Sequence, residues 1–102
     1  MALPSRGHRI SLSDAAVHTK RHREAKPSGV MAGAFHADQV RGLLAQPGCA
    51  ALRIYHGLDA DGAPTFILVG ADAAGTDMVG GDILEWSYPC PPFCSPSNAL
   101  TG

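Results

Sequence analysis

Residues 50–71 read AALRIYHGLDADGAPTFILVGA, two apolar runs around a turn-rich centre. No other stretch constrains the fold as much. Two strand-like runs flanking an Asp- and Gly-containing linker predict an antiparallel hairpin. In the first run Leu52 and Ile54 face one way, and Arg53 and Tyr55 face the other. That alternation is expected of a strand with one side on the core. The second run, Phe66 to Val69, is apolar at every position, which predicts a strand covered on both faces or central in its sheet. The linker LDADGAP is too long for a two-residue turn, but Asp61-Gly62 supplies the local turn chemistry. Asp59 and Asp61 resemble the start of a calcium loop, yet the closing Glu at its twelfth position is missing.

The rest of the chain is arranged around this hairpin. Residues 1–9 carry Pro4, Gly7 and scattered charge and are expected to be a flexible arm. A first helix is predicted from Leu12 to about Ala25. Ser11 is its cap, and Asp14 lies three residues on. Pro27-Ser28-Gly29 ends it. Its apolar face is thin, made of Leu12, Ala15, Ala16 and Thr19, so it packs by small residues or against a partner. A second helix is predicted after His36 as cap, with Val40, Leu43 and Leu44 as its buried stripe and Gln46-Pro47-Gly48 as its stop. Residues 30–35 (VMAGAF) and 83–88 (ILEWSY) read as strands that extend the hairpin sheet, with Leu84, Trp86 and Tyr88 on one face.

At 102 residues the chain is long enough for one domain, expected over residues 10–102. Its hydrophobic fraction of 45% is ordinary for a globular domain, whereas its charged fraction of 17% is low. A surface poor in charge is a reason to expect that another copy or a partner protein covers part of it. The net charge of −1 hides an asymmetry. Residues 1–26 hold six basic against two acidic side chains, +4, and the remainder holds two basic against seven acidic, −5. Such halves attract each other, within a chain or between copies. The alternative is a basic arm over residues 6–26 that meets nucleic acid or anionic lipid, but the acidic remainder would repel phosphate. Cations in the last turns of a helix also stabilise it without any ligand.

No apolar run approaches the roughly twenty residues that span a bilayer, so no membrane association is expected. The opening MALPSRGHRI lacks the apolar core of a signal peptide. The expected compartment is the cytoplasm, where thiols stay reduced.

The end of the chain, PCPPFCSPSNALTG, is a Pro- and Cys-rich tail. Cys90 and Cys94 are separated by three residues, a spacing that zinc sites use. Cys49 is a third candidate ligand, and His56, His18 or His22 could complete four. No cofactor is expected, unless these cysteines hold a structural zinc or another thiolate-bound metal. Three readings stay open: small buried apolar side chains, a structural zinc, or a disulfide or redox pair. His18 and His22 share a helix face, but the Glu of an H-E-x-x-H motif is absent. No nucleophile elbow and no nucleophile, base and oxyanion set can be assembled, so an enzyme is not expected.

LLAQPGCAALRIYHGLDADGAPTFILVGADAAGTD, followed by CPPFCSPSNAL, resembles a group of small uncharacterised bacterial proteins. They share a helix ending in a Q-P-G-C turn, an R-I-Y strand, an L-V-G strand and a terminal C-P-P-x-C. The resemblance covers residues 30–100 and, more loosely, the helix beginning near Ser11. It implies a small, compact bacterial protein and no particular activity.

The expected fold is therefore α+β, two helices packed on a small, mainly antiparallel sheet centred on the 50–71 hairpin. The expected function is a non-enzymatic, self-associating interaction module. The alternative is a metal-binding or thiol-redox protein using Cys90, Cys94 and Cys49.

Overall fold

The computed structural model describes all 102 residues. Two α-helices and two small antiparallel sheets make an α+β fold. The chain forms two compact units, one of residues 1–5 and 35–87, the other of residues 6–34 and 88–102.

The first unit contains α1 (Ala37–Leu44) and the strands β1 (Ala51–Leu58), β2 (Pro64–Ala71) and β3 (Ile83–Leu84). The expected hairpin is present: β1 pairs with β2 from Ala51↔Ala71 to Leu58↔Pro64. Its turn is organised by Asp59, whose Oδ1 accepts from the backbone N–H groups of Asp61 and Ala63. Gly62 takes φ +81 there, a conformation that costs glycine little. β3 adds to the free edge of β2 through Leu68↔Leu84 and Val69↔Ile83, so the all-apolar strand is the central one. This is why Leu68 and Val69, on opposite faces, are both buried.

His36 precedes α1 at the N-cap position, although its side chain makes no cap bond. Gly48 ends the segment at φ +85. Leu43 is the one large side chain that is fully enclosed. Leu44, expected in the same buried stripe, is 43% exposed, because an eight-residue helix turns only one narrow face to β2. Ile54 likewise is exposed although alternation assigned it to the core; its partner Leu68 contributes the burial. Gly70 allows close packing: a Cβ there would lie 2.9 Å from the Cys49 sulfur.

The second unit contains α2, which is the chain's first helix (Leu12–Ala25), and two short strands, β4 (Ala32–Ala34) and β5 (Tyr88–Cys90). The helix has the expected bounds, and the Ser11 hydroxyl accepts from the Asp14 N–H at 3.1 Å. No residue of this helix is buried, as its thin apolar face foretold. β4 and β5 form their own ladder, Ala32↔Cys90 to Ala34↔Tyr88. Two expectations are corrected here. The 30–35 strand does not extend the hairpin sheet, and the 83–88 strand is two strands. Trp86 has φ +66, which breaks the extended path between them. Trp86 and Tyr88 therefore do not continue the face begun by Leu84. Pro89 removes a backbone donor and is tolerated because β5 pairs on one side only.

The charge asymmetry follows the units. The basic residues Arg6 to Lys26 all lie in the second unit, +4, and the first unit carries −5. No helix is long and apolar enough to cross a membrane.

Candidate functional site

A concave cleft of about 360 Å³ lies in the second unit. Three elements build it. The last turns of α2 present Thr19, His22 and Arg23. The β4–β5 ribbon supplies a floor of Ala32, Gly33 and Ala34 beside Tyr88 and Cys90. The tail supplies Phe93, Asn98 and Leu100.

The tail has no regular structure, so its order has to come from local bonds. Cys90 and Cys94 form a disulfide, with Cα atoms 4.7 Å apart. The Phe93 N–H donates to the Pro89 carbonyl at 2.8 Å, and the Met31 N–H donates to the Cys90 carbonyl at 2.9 Å. The Tyr88 and Phe93 rings meet edge to face, 5.2 Å between centroids, a favoured aromatic geometry. Asn98 holds the last turn. Its Oδ1 accepts from the N–H groups of Leu100 and Thr101, and its Nδ2 donates to Ser95 Oγ and the Pro96 carbonyl. Arg23 Nη1 then donates to the Leu100 carbonyl at 2.6 Å, fastening tail to helix. Cys90 is the only buried hydrophobic residue of this unit. Covalent and polar links thus replace an apolar core.

A second polar cluster lies in the first unit. Arg53 and Tyr55, two apart on β1, share a face and reach the same carboxylate. Arg53 Nη1 donates to Asp77 Oδ1 at 2.5 Å and to the Gly75 carbonyl at 3.0 Å. The Tyr55 hydroxyl donates to Asp77 Oδ2. These bonds hold Asp77 below the usual carboxylate range, that from Tyr55 first and that from Arg53 next. The bond to Asp77 raises Tyr55 above an ordinary phenol and raises Arg53 as well. Every polar atom of the Asp77 carboxylate is thereby engaged. The arrangement ties the 72–77 loop to the sheet and leaves no free base.

The candidate ligands are distributed as follows. Cys90 and Cys94 are bonded to each other. Cys49 belongs to the first unit, half-buried, its thiol directed to the Ala51 carbonyl at 3.4 Å. His56 stacks obliquely near Phe66, and His18 Nδ1 lies 3.2 Å from Arg21 Nη1. His22 is on the lip of the cleft. No three His, Cys, Asp or Glu side chains come together as a metal-binding group. Sequence reasoning missed Arg23, Asn98 and Asp77. The S-P-S-N run signalled a side-chain-capped turn, and the shared face of Arg53 and Tyr55 signalled a common anionic partner. Comparison with protein families, with curated proteins and with solved structures returns no match.

Proposed function

We propose that the chain is a small, non-enzymatic interaction module that associates with further copies of itself. The observation that carries this reading is the apolar surface left outside. Fifteen large hydrophobic side chains are exposed, against five buried hydrophobic residues of any size. The chain exposes 7571 Å² in all. Two separate compact bodies of the units' sizes would expose about 6,600 Å². The surplus of roughly 1,000 Å² exceeds the ~800 Å² that each partner buries in a standard interface. Trp86, 93% exposed on a left-handed backbone, is the side chain best suited to anchor such a contact. The opposite charges of the two units add attraction between copies.

Light scattering behind size exclusion tests this at about 50 mM and about 500 mM salt, conditions that differ strongly in screening. A mass above the monomer is expected at low salt, shifting toward the monomer at high salt and in Trp86→Ala with its circular dichroism unchanged. A clean monomer at low salt across all concentrations overturns the proposal.

The Cys90–Cys94 bond favours a second reading, a thiol-redox pair, in which a dithiol reductant gives up two electrons and two protons, becoming a disulfide itself, and converts the Cys90–Cys94 disulfide to two thiols. A cytoplasmic location belongs with it, since disulfides there are transient. Zinc binding would need the same two sulfurs as thiolates. Alkylation under non-reducing conditions decides between the forms: full labelling of all three cysteines removes the redox reading.

A further inference from the structure

β1 is an open edge. The sheet order places β2 between β1 and β3, so one side of β1 has no neighbouring strand. The direction of its free groups follows from β2. The Gly70 carbonyl accepts from the Met78 N–H at 2.8 Å on its β3 side, whereas the Ala71 carbonyl accepts from the Ala50 N–H on its β1 side. Main-chain groups alternate in this way along a strand. Gly70 and Leu68 therefore point away from β1, and their register partners Leu52 and Ile54 are not hydrogen-bonded to them. The N–H and C=O groups of Leu52, Ile54, His56 and Leu58 consequently point outward, and no bond within the chain takes them. Natural edges of this length are blunted by Pro, Lys or a bulge. β1 has none of these, and its register runs unbroken through all of ALRIYHGL. Its one Arg is turned to Asp77. Ile54, Tyr55 and Leu58 are all exposed on it.

We infer that β1 pairs antiparallel with β1 of a second copy, about a two-fold axis at Tyr55, so that the two three-stranded sheets become one. This rests on the self-association reading and names a surface for it. The free groups dictate the register. A residue pair that exchanges both bonds needs two outward-pointing residues. With Tyr55 on the axis, Leu52 meets Leu58 and Ile54 meets His56, and every outward group has a partner. An axis at Ile54 would call on Ala50, whose N–H is already given to Ala71. An axis at His56 would set Leu52 against the turn beyond the end of β1. The side chains agree with the Tyr55 axis. Leu52, Ile54 and Leu58 share one face of the pairing. On the other face two Tyr55 rings meet as a close cross-strand pair, and Arg53 falls opposite Gly57, so no like charges are opposed. A patch that meets itself about a two-fold axis is the commonest form of homodimer. Trp86 lies beyond β3, at the opposite edge of the sheet, and takes no part.

Amide hydrogen exchange on the full chain, read together with its mass by light scattering, tests the pairing. The amides of Leu52, Ile54, His56 and Leu58 are expected to slow at least about tenfold between about 10 μM and about 1 mM chain, as mass action requires. Trp86→Ala should keep that slowing. His56→Pro should abolish it, because it deletes an outward donor that an edge strand can do without. Ile54→Lys combined with His56→Lys should weaken association by about tenfold, since like charges then face each other on both sides of the axis. Ile54→Lys combined with His56→Glu should restore it. Both side chains are exposed, so these two combinations decide the matter if His56→Pro fails to fold. If the chain associates while the four amides exchange at one rate at every concentration, the edge pairing is overturned and self-association stands. Equal association of the two charge combinations has the same meaning. A chain that is monomeric throughout overturns both.

Discussion

Leu43→Ala is the sharpest test of how the first unit is held together. Leu43 is 0% exposed and is the only large side chain fully enclosed, whereas its neighbour Leu44 is 43% exposed. Both lie on the same short helix and both changes delete the same atoms. Alanine is slightly the better helix former at either position, so propensity cancels between them. At Leu43 the substitution removes three buried carbon equivalents at ~0.8 kcal/mol each, about 2.4 kcal/mol. The space left between α1 and β2 adds a cavity term, for a total of about 3 kcal/mol. At Leu44 little more than half of that transfer energy is at stake and water fills the gap, so about 1.3 kcal/mol is expected. With a urea slope of about 1.5 kcal/mol/M the two midpoints fall by about 2 M and about 1 M. Far-UV circular dichroism is the right probe, since it reads the helix and strands of the unit directly. A Leu43→Ala midpoint no lower than that of Leu44→Ala would refute the assignment of the core to α1 and β2.

Two further outcomes follow from the polar and covalent links. Asp77 is held below its ordinary range, so its stabilisation is complete above about pH 3.9, the unfolded carboxylate value, and is lost as pH falls through the folded one. Thermal melts from pH 5 down to pH 2 should therefore decline more steeply in the wild type than in Asp77→Asn, and parallel declines would contradict the linkage. Tyr55 is raised, so its contribution is complete below about pH 10 and is lost above it; Tyr55→Phe should flatten that alkaline limb. Reducing the Cys90–Cys94 bond, which closes a very short loop, should cost the second unit about 2 kcal/mol. Hydrogen exchange of the Met31 and Phe93 amides should then quicken by about thirtyfold, and unchanged protection would show that the tail is held without the bond.

Much of the local structure was legible because local chemistry decides it. Ser11, with its hydroxyl on the Asp14 N–H, and Pro27 beyond Lys26 set both ends of the first helix. Gly48 and the Asp59 turn did the same for the second helix and the hairpin. The candidate site was much less legible. Arg23 reads in the sequence as one cation in a basic helix end, and only the tail folding onto α2 makes it the charged wall of a cleft.

Sequence alone determined the two helices, the hairpin and its central apolar strand, and the separation of charge along the chain. Each of these depends on residues close together, where capping, turn chemistry and periodicity act directly. Tertiary structure alone decided that AGA at 32–34 pairs with YPC at 88–90, far along the chain, and that 83–88 breaks at Trp86. Such short, feebly patterned segments encode no partner of their own; they pair where the rest of the fold delivers them. The same holds for the cysteines, whose spacing allowed zinc, burial or a bond, and whose sulfurs at Cys90 and Cys94 the fold sets in bonding contact.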